Sequence, residues 1–188
     1  MSIAAAVHGS SWFWYFGRAT GFVALILLTA IIVLGVLGPL RVSSEAWPRF
    51  AIRTVHRDLS LMAIFVIVVH IVASVLDTYV PIQLTAAVIP FVSSYSPFWI
   101  GLGALAFDLL IAIVVTSLLR RRFGYGTWRF VHWFTYASWP IAVAHGLGAG
   151  SDSSSAWALA LTIPCIAIVA VAVVMRLQYG TAARTLEA

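Results

Sequence analysis

Five long apolar stretches constrain this chain more than any other feature of its sequence. They cover about residues 19–40, 56–76, 98–119, 130–148 and 156–177. Each is close to the roughly 20 apolar residues that an α-helix needs to cross the hydrocarbon core of a bilayer. Only 9% of the residues are charged, against about a quarter in a soluble domain. The sequence therefore excludes a soluble globular protein and predicts an all-α integral membrane protein.

The predicted architecture is one domain over residues 1–188, a bundle of five transmembrane helices plus a short extra helix. The extra helix is expected within residues 80–92, an apolar stretch bracketed by Pro81 and Pro90 and too short to span the membrane. We expect it to be interfacial or re-entrant. No internal repeat or linker divides the chain.

The basic residues predict the orientation of the bundle. All eleven are arginine, and ten fall at one end of the predicted spans, whereas Arg18 is alone at the other. Arginine collects in cytoplasmic loops, so the N-terminus is predicted outside and the C-terminus in the cytoplasm. The isoelectric point near 10 therefore reflects topology, and nucleic acid is not an expected partner. Membrane lipid is.

Four of the five histidines lie in two of the predicted spans. His56 and His70 belong to the second span, and His132 and His145 to the fourth. Polar side chains at membrane depth are costly and commonly functional. A separation of 14 residues places the first two about 21 Å apart on nearly one helix face. The two spans run parallel, so His56 shares the cytoplasmic depth with His132, and His70 shares the outer depth with His145.

One feature departs from an ideal helix. The 13 residues between His132 and His145 leave the two side chains about 140° apart around a straight helix axis. Pro140 lies between them, and a proline kinks or distorts a helix. We expect a distortion there to bring both rings towards the second span.

Two histidine pairs without further ligands favour haem iron over zinc. Zinc takes four ligands, or three and a water molecule, and no carboxylate or cysteine accompanies either pair; Cys165 stands alone in an apolar run. Haem iron takes two axial ligands on opposite faces of a planar ring. The sequence therefore predicts two haems b, stacked across the membrane and suited to electron transfer.

The segments that carry these histidines resemble a known family. VHRDLSLMAIFVIVVH (residues 55–70) and WRFVHWFTYASWPIAVAHGLGAGSD (residues 128–152) are similar to the ferric reductase-like transmembrane domain. That family includes the membrane portions of ferric reductases and NADPH oxidases and the haem subunit of the periplasmic methionine sulfoxide reductase system. Residues 14–35 and 96–128 also look like its small bacterial members. The resemblance implies inner haem ligation by His56 and His132, outer ligation by His70 and His145, and location in a bacterial plasma membrane.

The resemblance also implies what surrounds the electron path. Larger members continue into a cytoplasmic domain for FAD and NADPH, whereas here about a dozen residues follow the fifth span, without a GxGxxG motif. We therefore expect a separate flavin reductase or a quinol to supply electrons, with flavin or quinone at a partner interface. The expected acceptor is extracytoplasmic: a ferric chelate, oxygen or a partner protein. The chain is then an oxidoreductase or the haem subunit of one.

Several charged residues are secondary candidates. Arg53, Arg57 and Arg129 flank the inner pair and Arg18 lies near the outer pair, so each is a candidate to bind haem propionates, since arginine pairs with carboxylates. Positive-inside topology alone accounts equally well for the first three. Asp108, midway along the third span, is a candidate for proton movement or for a hydrogen bond to a neighbouring helix.

Two alternatives remain open at this stage. One is a quinol-coupled cytochrome resembling the b561 type, which takes electrons without a flavoprotein. The other is a haem-free membrane scaffold or transporter, in which the histidines pack or carry protons.

Overall fold

The computed structural model describes residues 12–37, 48–78, 80, 82–150 and 152–185, and over these ranges it is helical with no β-strand. Six α-helices occur in it. They are α1 (Trp12–Leu37), α2 (Arg49–Leu76), α3 (Pro97–Leu118), α4 (Arg120–Trp133), α5 (Thr135–Ala149) and α6 (Ala156–Thr185).

The helices are arranged as two packed pairs and a covering helix. The most extensive contacts join α1 with α2 and α3 with α5, and α6 packs against α1. On α1 the buried residues Ala24, Leu28, Ile32 and Val36 recur every four positions, which forms one apolar stripe along the helix. This stripe contributes to a core that also contains Trp139 of α5. Helix α1 is therefore the central element of the bundle.

Four helices of the described ranges are long and apolar enough to cross a membrane. Their qualifying segments are Trp12–Val36, Phe50–Leu76, Pro97–Leu118 and Ala156–Gln178. The structure therefore supports an all-α, multi-pass membrane protein. It does not reproduce five single-helix spans with an added helix, because the predicted fourth span is divided.

The division of the predicted span 130–148 lies at Phe134. The amide of Phe134 donates to the carbonyl of Val131 at 3.0 Å, an i→i+3 bond, and the hydroxyl of Thr135 donates to the carbonyl of His132. These local bonds lie at the junction where α4 ends and α5 begins. Pro140, where a distortion is expected, lies inside α5, which continues through that residue.

The predicted extra helix is also smaller than expected. Within residues 80–92 the structure has a single 3₁₀ helix, Leu84–Ala87. Pro90 disfavours helical backbone at the residue before it, which limits the helix on its C-terminal side. Further on, Phe91 adopts a positive φ of 68°, and its backbone and ring pack against Gly101 of α3. The segment therefore covers the start of α3.

The outer surface of the bundle is apolar. On α2, Phe65 is 69% exposed, and on α6, Val171 is 59% exposed. A soluble protein rarely presents such continuous apolar faces, whereas lipid acyl chains cover them without cost. The exposed faces agree with the membrane location inferred from helix length.

Candidate metal-binding histidine pairs

The structure brings the four membrane histidines together as two pairs. The ring centres of His56 and His132 are 6.3 Å apart with an interplanar angle of 56°. Those of His70 and His145 are 6.4 Å apart at 81°. The break between α4 and α5 at Phe134 lies between His132 and His145, and the rings of both histidines lie beside those of α2.

The separation within each pair suits one metal ion between the rings. A histidine nitrogen lies about 2 Å from a metal that it ligates, and the ring centre lies about 1 Å behind that nitrogen. Two imidazoles on opposite sides of one ion thus have their centres about 6 Å apart. Both observed distances match this value.

The number of available ligands limits the kind of metal group. Among the residues that the structure describes, no group of three or more histidine, cysteine or acidic side chains is arranged to hold a metal ion. Each pair therefore offers two ligands. Structural and catalytic zinc sites need three or four protein ligands, whereas a metal already held in a planar macrocycle needs axial ligands alone.

Three of the four imidazoles are fixed through their Nδ1 atoms. Nδ1 of His56 lies 3.1 Å from the carbonyl oxygen of Ile31, and Nδ1 of His70 lies 2.7 Å from that of Gly17. Nδ1 of His145 lies 2.8 Å from that of Trp99. A carbonyl oxygen only accepts, so Nδ1 must carry the hydrogen in each case. The lone pair is then on Nε2, the arrangement typical of metal-ligating histidine.

His132 is the exception. Its Nδ1 is buried and has no hydrogen-bond partner. The indole of Trp128 lies beside its ring, with centres 5.1 Å apart and an interplanar angle of 32°. The same indole donates to the hydroxyl of Ser117 at 3.1 Å, and the guanidinium of Arg120 lies 5.2 Å from its centre. Packing with Trp128, without a hydrogen bond to the protein, holds this ring.

Space is available beside the outer pair. A cavity of about 300 Å³ is lined by both rings of that pair and by Arg18, Gly21 and Gly103. In the described structure, α2 has no extensive contact with α4 or α5. Its histidines nevertheless face His132 of α4 and His145 of α5. The two histidine-bearing segments are thus separated by a gap that the imidazoles border.

The predicted arginines lie in different surroundings. Arg18 lines the cavity, forms an ion pair with Asp152, and lies 5.4 Å from the ring centre of Trp14. Arg53 and Arg129 are exposed, each three residues before a histidine of the inner pair. Arg57 is exposed and pairs with the neighbouring Asp58 at 3.0 Å.

Asp108 is separate from these sites. It is half-buried on α3 and does not line the cavity of the outer pair. The accepting carbonyls, and the glycines that lie against the imidazoles, were not anticipated from the sequence. The 14-residue separation between Gly21 and Gly35, which equals that between His56 and His70, is the signal that points to these glycines.

Comparison with known protein families identifies the chain. The family model described as ferric reductase like transmembrane component matches residues 20–143, about two thirds of the chain. The match contains His56, His70 and His132 and ends shortly before His145. No curated protein and no solved structure matches the chain. With a family match over most of its helical bundle, the chain belongs to the ferric reductase-like transmembrane components.

Proposed function

We propose that this protein transfers electrons across a membrane through two haems b, one held by His56 and His132 and the other by His70 and His145. The observation that carries the proposal is the pair of imidazole separations, 6.3 and 6.4 Å, with Nε2 free in three of the four rings. Haem, when bound, supplies an iron that gains and loses one electron. Held by two histidines of the chain, such an iron would offer no open position to oxygen, which favours electron transfer.

The chain's own residues provide the conditions for this role. Backbone carbonyls of α1 and α3 orient three of the imidazoles, and an oriented, hydrogen-bonded imidazole is a better metal ligand. The 14 residues from His56 to His70 correspond to about 21 Å along α2. Two haems at these levels divide the width of the membrane into short steps.

The proposed topology has five crossings in one domain, with the N-terminus outside and the C-terminus in the cytoplasm. Helix α5 has 15 residues, so we infer that α5 and the end of α4 cross the bilayer together. The separation of His132 and His145, which pair with the two ends of α2, supports this inference. The predicted location is a bacterial plasma membrane.

Three arginines are proposed to bind haem propionates. Arg53 and Arg129 each precede an inner-pair histidine by one helical turn, a spacing that places residues on one face, and both are exposed at the predicted cytoplasmic side. Arg18 lines the outer cavity. Arg57 is a weaker candidate, because it is adjacent to His56 and its guanidinium is engaged by Asp58.

The electron donor is proposed to be a separate flavin reductase or a quinol, with flavin or quinone at the shared interface. The acceptor is proposed to be a ferric chelate, oxygen or a protein on the other side. In this scheme the chain is an oxidoreductase or the haem subunit of one. A b561-like cytochrome predicts rapid reduction by a quinol analogue alone, whereas flavoprotein coupling predicts slow reduction by it.

Haem quantification tests the proposal directly. The chain purified from haem-replete cells is expected to contain two haems b per polypeptide in a pyridine haemochrome assay. His70→Ala and His56→Ala are each expected to reduce this to about one. His8→Ala is the matched control: His8 lies outside the described residues, is not a predicted ligand and is expected to leave the content at two.

The outcomes separate the alternatives. Wild-type protein without haem would overturn the proposal and favour a scaffold or transporter. Haem that survives both substitutions at full stoichiometry would show that the ligands are other residues.

A further inference from the structure

The three anchored histidines share a feature of the helix that faces them. The accepting carbonyls belong to Gly17, Ile31 and Trp99, and in each case a glycine follows four residues later: Gly21, Gly35 and Gly103. In an α-helix the carbonyl of residue i points towards residue i+4. A side chain at that position crowds the open side of the carbonyl, and glycine does not.

The glycines lie against the imidazoles themselves. A Cβ atom at Gly103 would lie 2.7 Å from both Cε1 and Nδ1 of His145, closer than such contacts normally allow. A Cβ at Gly21 would lie 3.2 Å from Cε1 and 3.3 Å from Nδ1 of His70. A Cβ at Gly35 would lie 3.5 Å from Cε1 of His56, an ordinary contact. The need for glycine thus differs among the three positions.

The fourth histidine, His132, has neither the bond to a carbonyl nor a glycine four residues after the corresponding carbonyl. Counting 14 residues from Trp99 and Gly103, the interval found on α1, leads to Ile113 and Ser117. Four residues after the carbonyl of Ile113, the chain therefore has Ser117 and not a glycine. The hydroxyl of Ser117 donates to the carbonyl of Ile113 at 2.6 Å, and the hydroxyl of Thr116 donates to it at 3.1 Å. Nδ1 of His132 is the one without a partner among the four.

We propose that Gly21, Gly35 and Gly103 are positioning residues for the metal-ligating imidazoles, each keeping open the backbone carbonyl that fixes its histidine as the Nδ1–H tautomer. The inference rests on the proposed haem ligation. The glycines touch no metal; they act by allowing the ring to reach the carbonyl, which directs Nε2 towards the gap between α2 and the helix opposite.

Alanine substitutions at the glycines form a graded test. Gly103→Ala is expected to have the largest effect, Gly21→Ala a smaller one and Gly35→Ala little effect, in the order of how closely the added Cβ atom would approach each ring. Gly126→Ala is the matched control, because Gly126 is an exposed helical glycine that does not line the cavity, and a Cβ there would meet nothing within 4 Å. Alanine also favours the helix over glycine, so the control is expected to fold at least as well as the wild type.

Two measurements distinguish an effect on haem ligation from an effect on the position and tautomer of the imidazole. The first is haem content with the electron paramagnetic resonance spectrum of the ferric protein, in which Gly103→Ala is expected to lose or alter the outer haem and leave the inner signal unchanged. The second is nitrogen NMR of the haem-free protein with labelled histidine, in which the Nδ1–H form of His145 is expected to give way to a tautomer mixture. Circular dichroism of each variant verifies that the helices have formed.

Failure of this inference is distinguishable from failure of the proposed function. If wild-type protein holds two haems and Gly103→Ala behaves like Gly126→Ala in both readouts, the positioning role is wrong and ligation stands. If wild-type protein holds no haem, the proposed function fails, while the NMR comparison still decides whether the glycine controls the tautomer. Should Gly103→Ala not fold, the comparison of Gly21→Ala with Gly126→Ala decides the question at His70, the other histidine of the outer pair.

Discussion

Polar side chains in this bundle form their hydrogen bonds mainly with backbone carbonyls. Ser60, Ser74 and Thr116 donate to carbonyls one turn earlier in their own helices, and His56, His70 and His145 donate to carbonyls of a neighbouring helix. In a membrane interior every polar group needs a partner within the protein. The buried Nδ1 of His132 is an exception, because it has no hydrogen-bond partner.

A hydrogen bond between side chains links α1 to α5. The indole of the buried Trp139 donates to the hydroxyl of Thr29 at 3.2 Å. Thr29→Val keeps the shape of the side chain and leaves the indole without its acceptor, so we expect the free energy of unfolding to fall by about 1 kcal/mol. Denaturation in mixed detergent measures the change. Thr20→Val is the control, since the hydroxyl of Thr20 bonds only carbonyls of its own helix.

A double-mutant cycle decides whether this bond contributes. Trp139→Phe and Thr29→Val are expected to be non-additive, because each removes the same interaction. Additive effects would mean that the two residues stabilise the bundle independently.

At the scale of elements, the helices work in pairs. In each pair, one helix carries histidines and the other supplies the carbonyls that accept their hydrogen bonds. Carbonyls of α1 accept from the histidines of α2, and a carbonyl of α3 accepts from the histidine of α5. The period of 14 residues recurs in the histidines of α2 and in the carbonyls and glycines of α1. Helix α3 has the same arrangement once, at Trp99 and Gly103, and its C-terminal half has the hydroxyl residues Thr116 and Ser117 where a second glycine would fall.

Exchange of that hydroxyl residue tests the arrangement of α3. In a Thr116→Val background, Ser117→Gly removes the second of the two hydroxyls that donate to the carbonyl of Ile113, and is expected to open this carbonyl to Nδ1 of His132. A hydrogen-bonded imidazole is a more basic ligand, which stabilises the oxidised iron, so the midpoint potential of the inner haem should fall and that of the outer haem should not. Potentiometric titration measures both. Ser117→Ala in the same background is the control, because it also removes the hydroxyl but retains a Cβ atom; equal behaviour of the two variants would contradict the interpretation.

The sequence predicted the elements unevenly. Residues 98–119 correspond closely to α3 and residues 156–177 fall within α6, since apolar length alone predicts a spanning helix. The interruption at Phe134 was not predicted, because it depends on hydrogen bonds of Phe134 and of the Thr135 hydroxyl, whereas hydrophobicity continues across it. A proline commonly breaks or kinks a helix, but Pro140 lies inside α5, which continues on both sides of it.

At the scale of the whole molecule, the proposed electron path runs through the two histidine pairs, whose members on α2 are 14 residues apart. Four helices of the described chain qualify as spans, and the pairs lie between α2 and the α4–α5 segment. A transmembrane path needs both pairs, since each occupies a different depth.

Reconstitution in lipid vesicles tests the path as a unit. With ferricyanide inside and dithionite outside, vesicles containing the wild-type protein are expected to reduce the trapped ferricyanide. His70→Ala and His56→Ala are each expected to lower the rate to that of protein-free vesicles, because either substitution removes one step from the path. The absorbance of ferricyanide reports the rate. A wild-type rate no higher than that of empty vesicles would contradict transmembrane electron transfer.

The sequence by itself determined that this is a helical membrane protein, that four histidines lie in its apolar segments, and which family it belongs to. These properties follow from hydrophobicity and from spacing along single helices, which are local. The tertiary structure decided where the fourth predicted span breaks, which carbonyl each imidazole meets and which ring is left without one. His70 and its acceptor Gly17 are 53 residues apart, and His145 and Trp99 are 46 apart. Contacts of this kind depend on how closely two helices approach and how each is rotated, and packing of the whole bundle sets both.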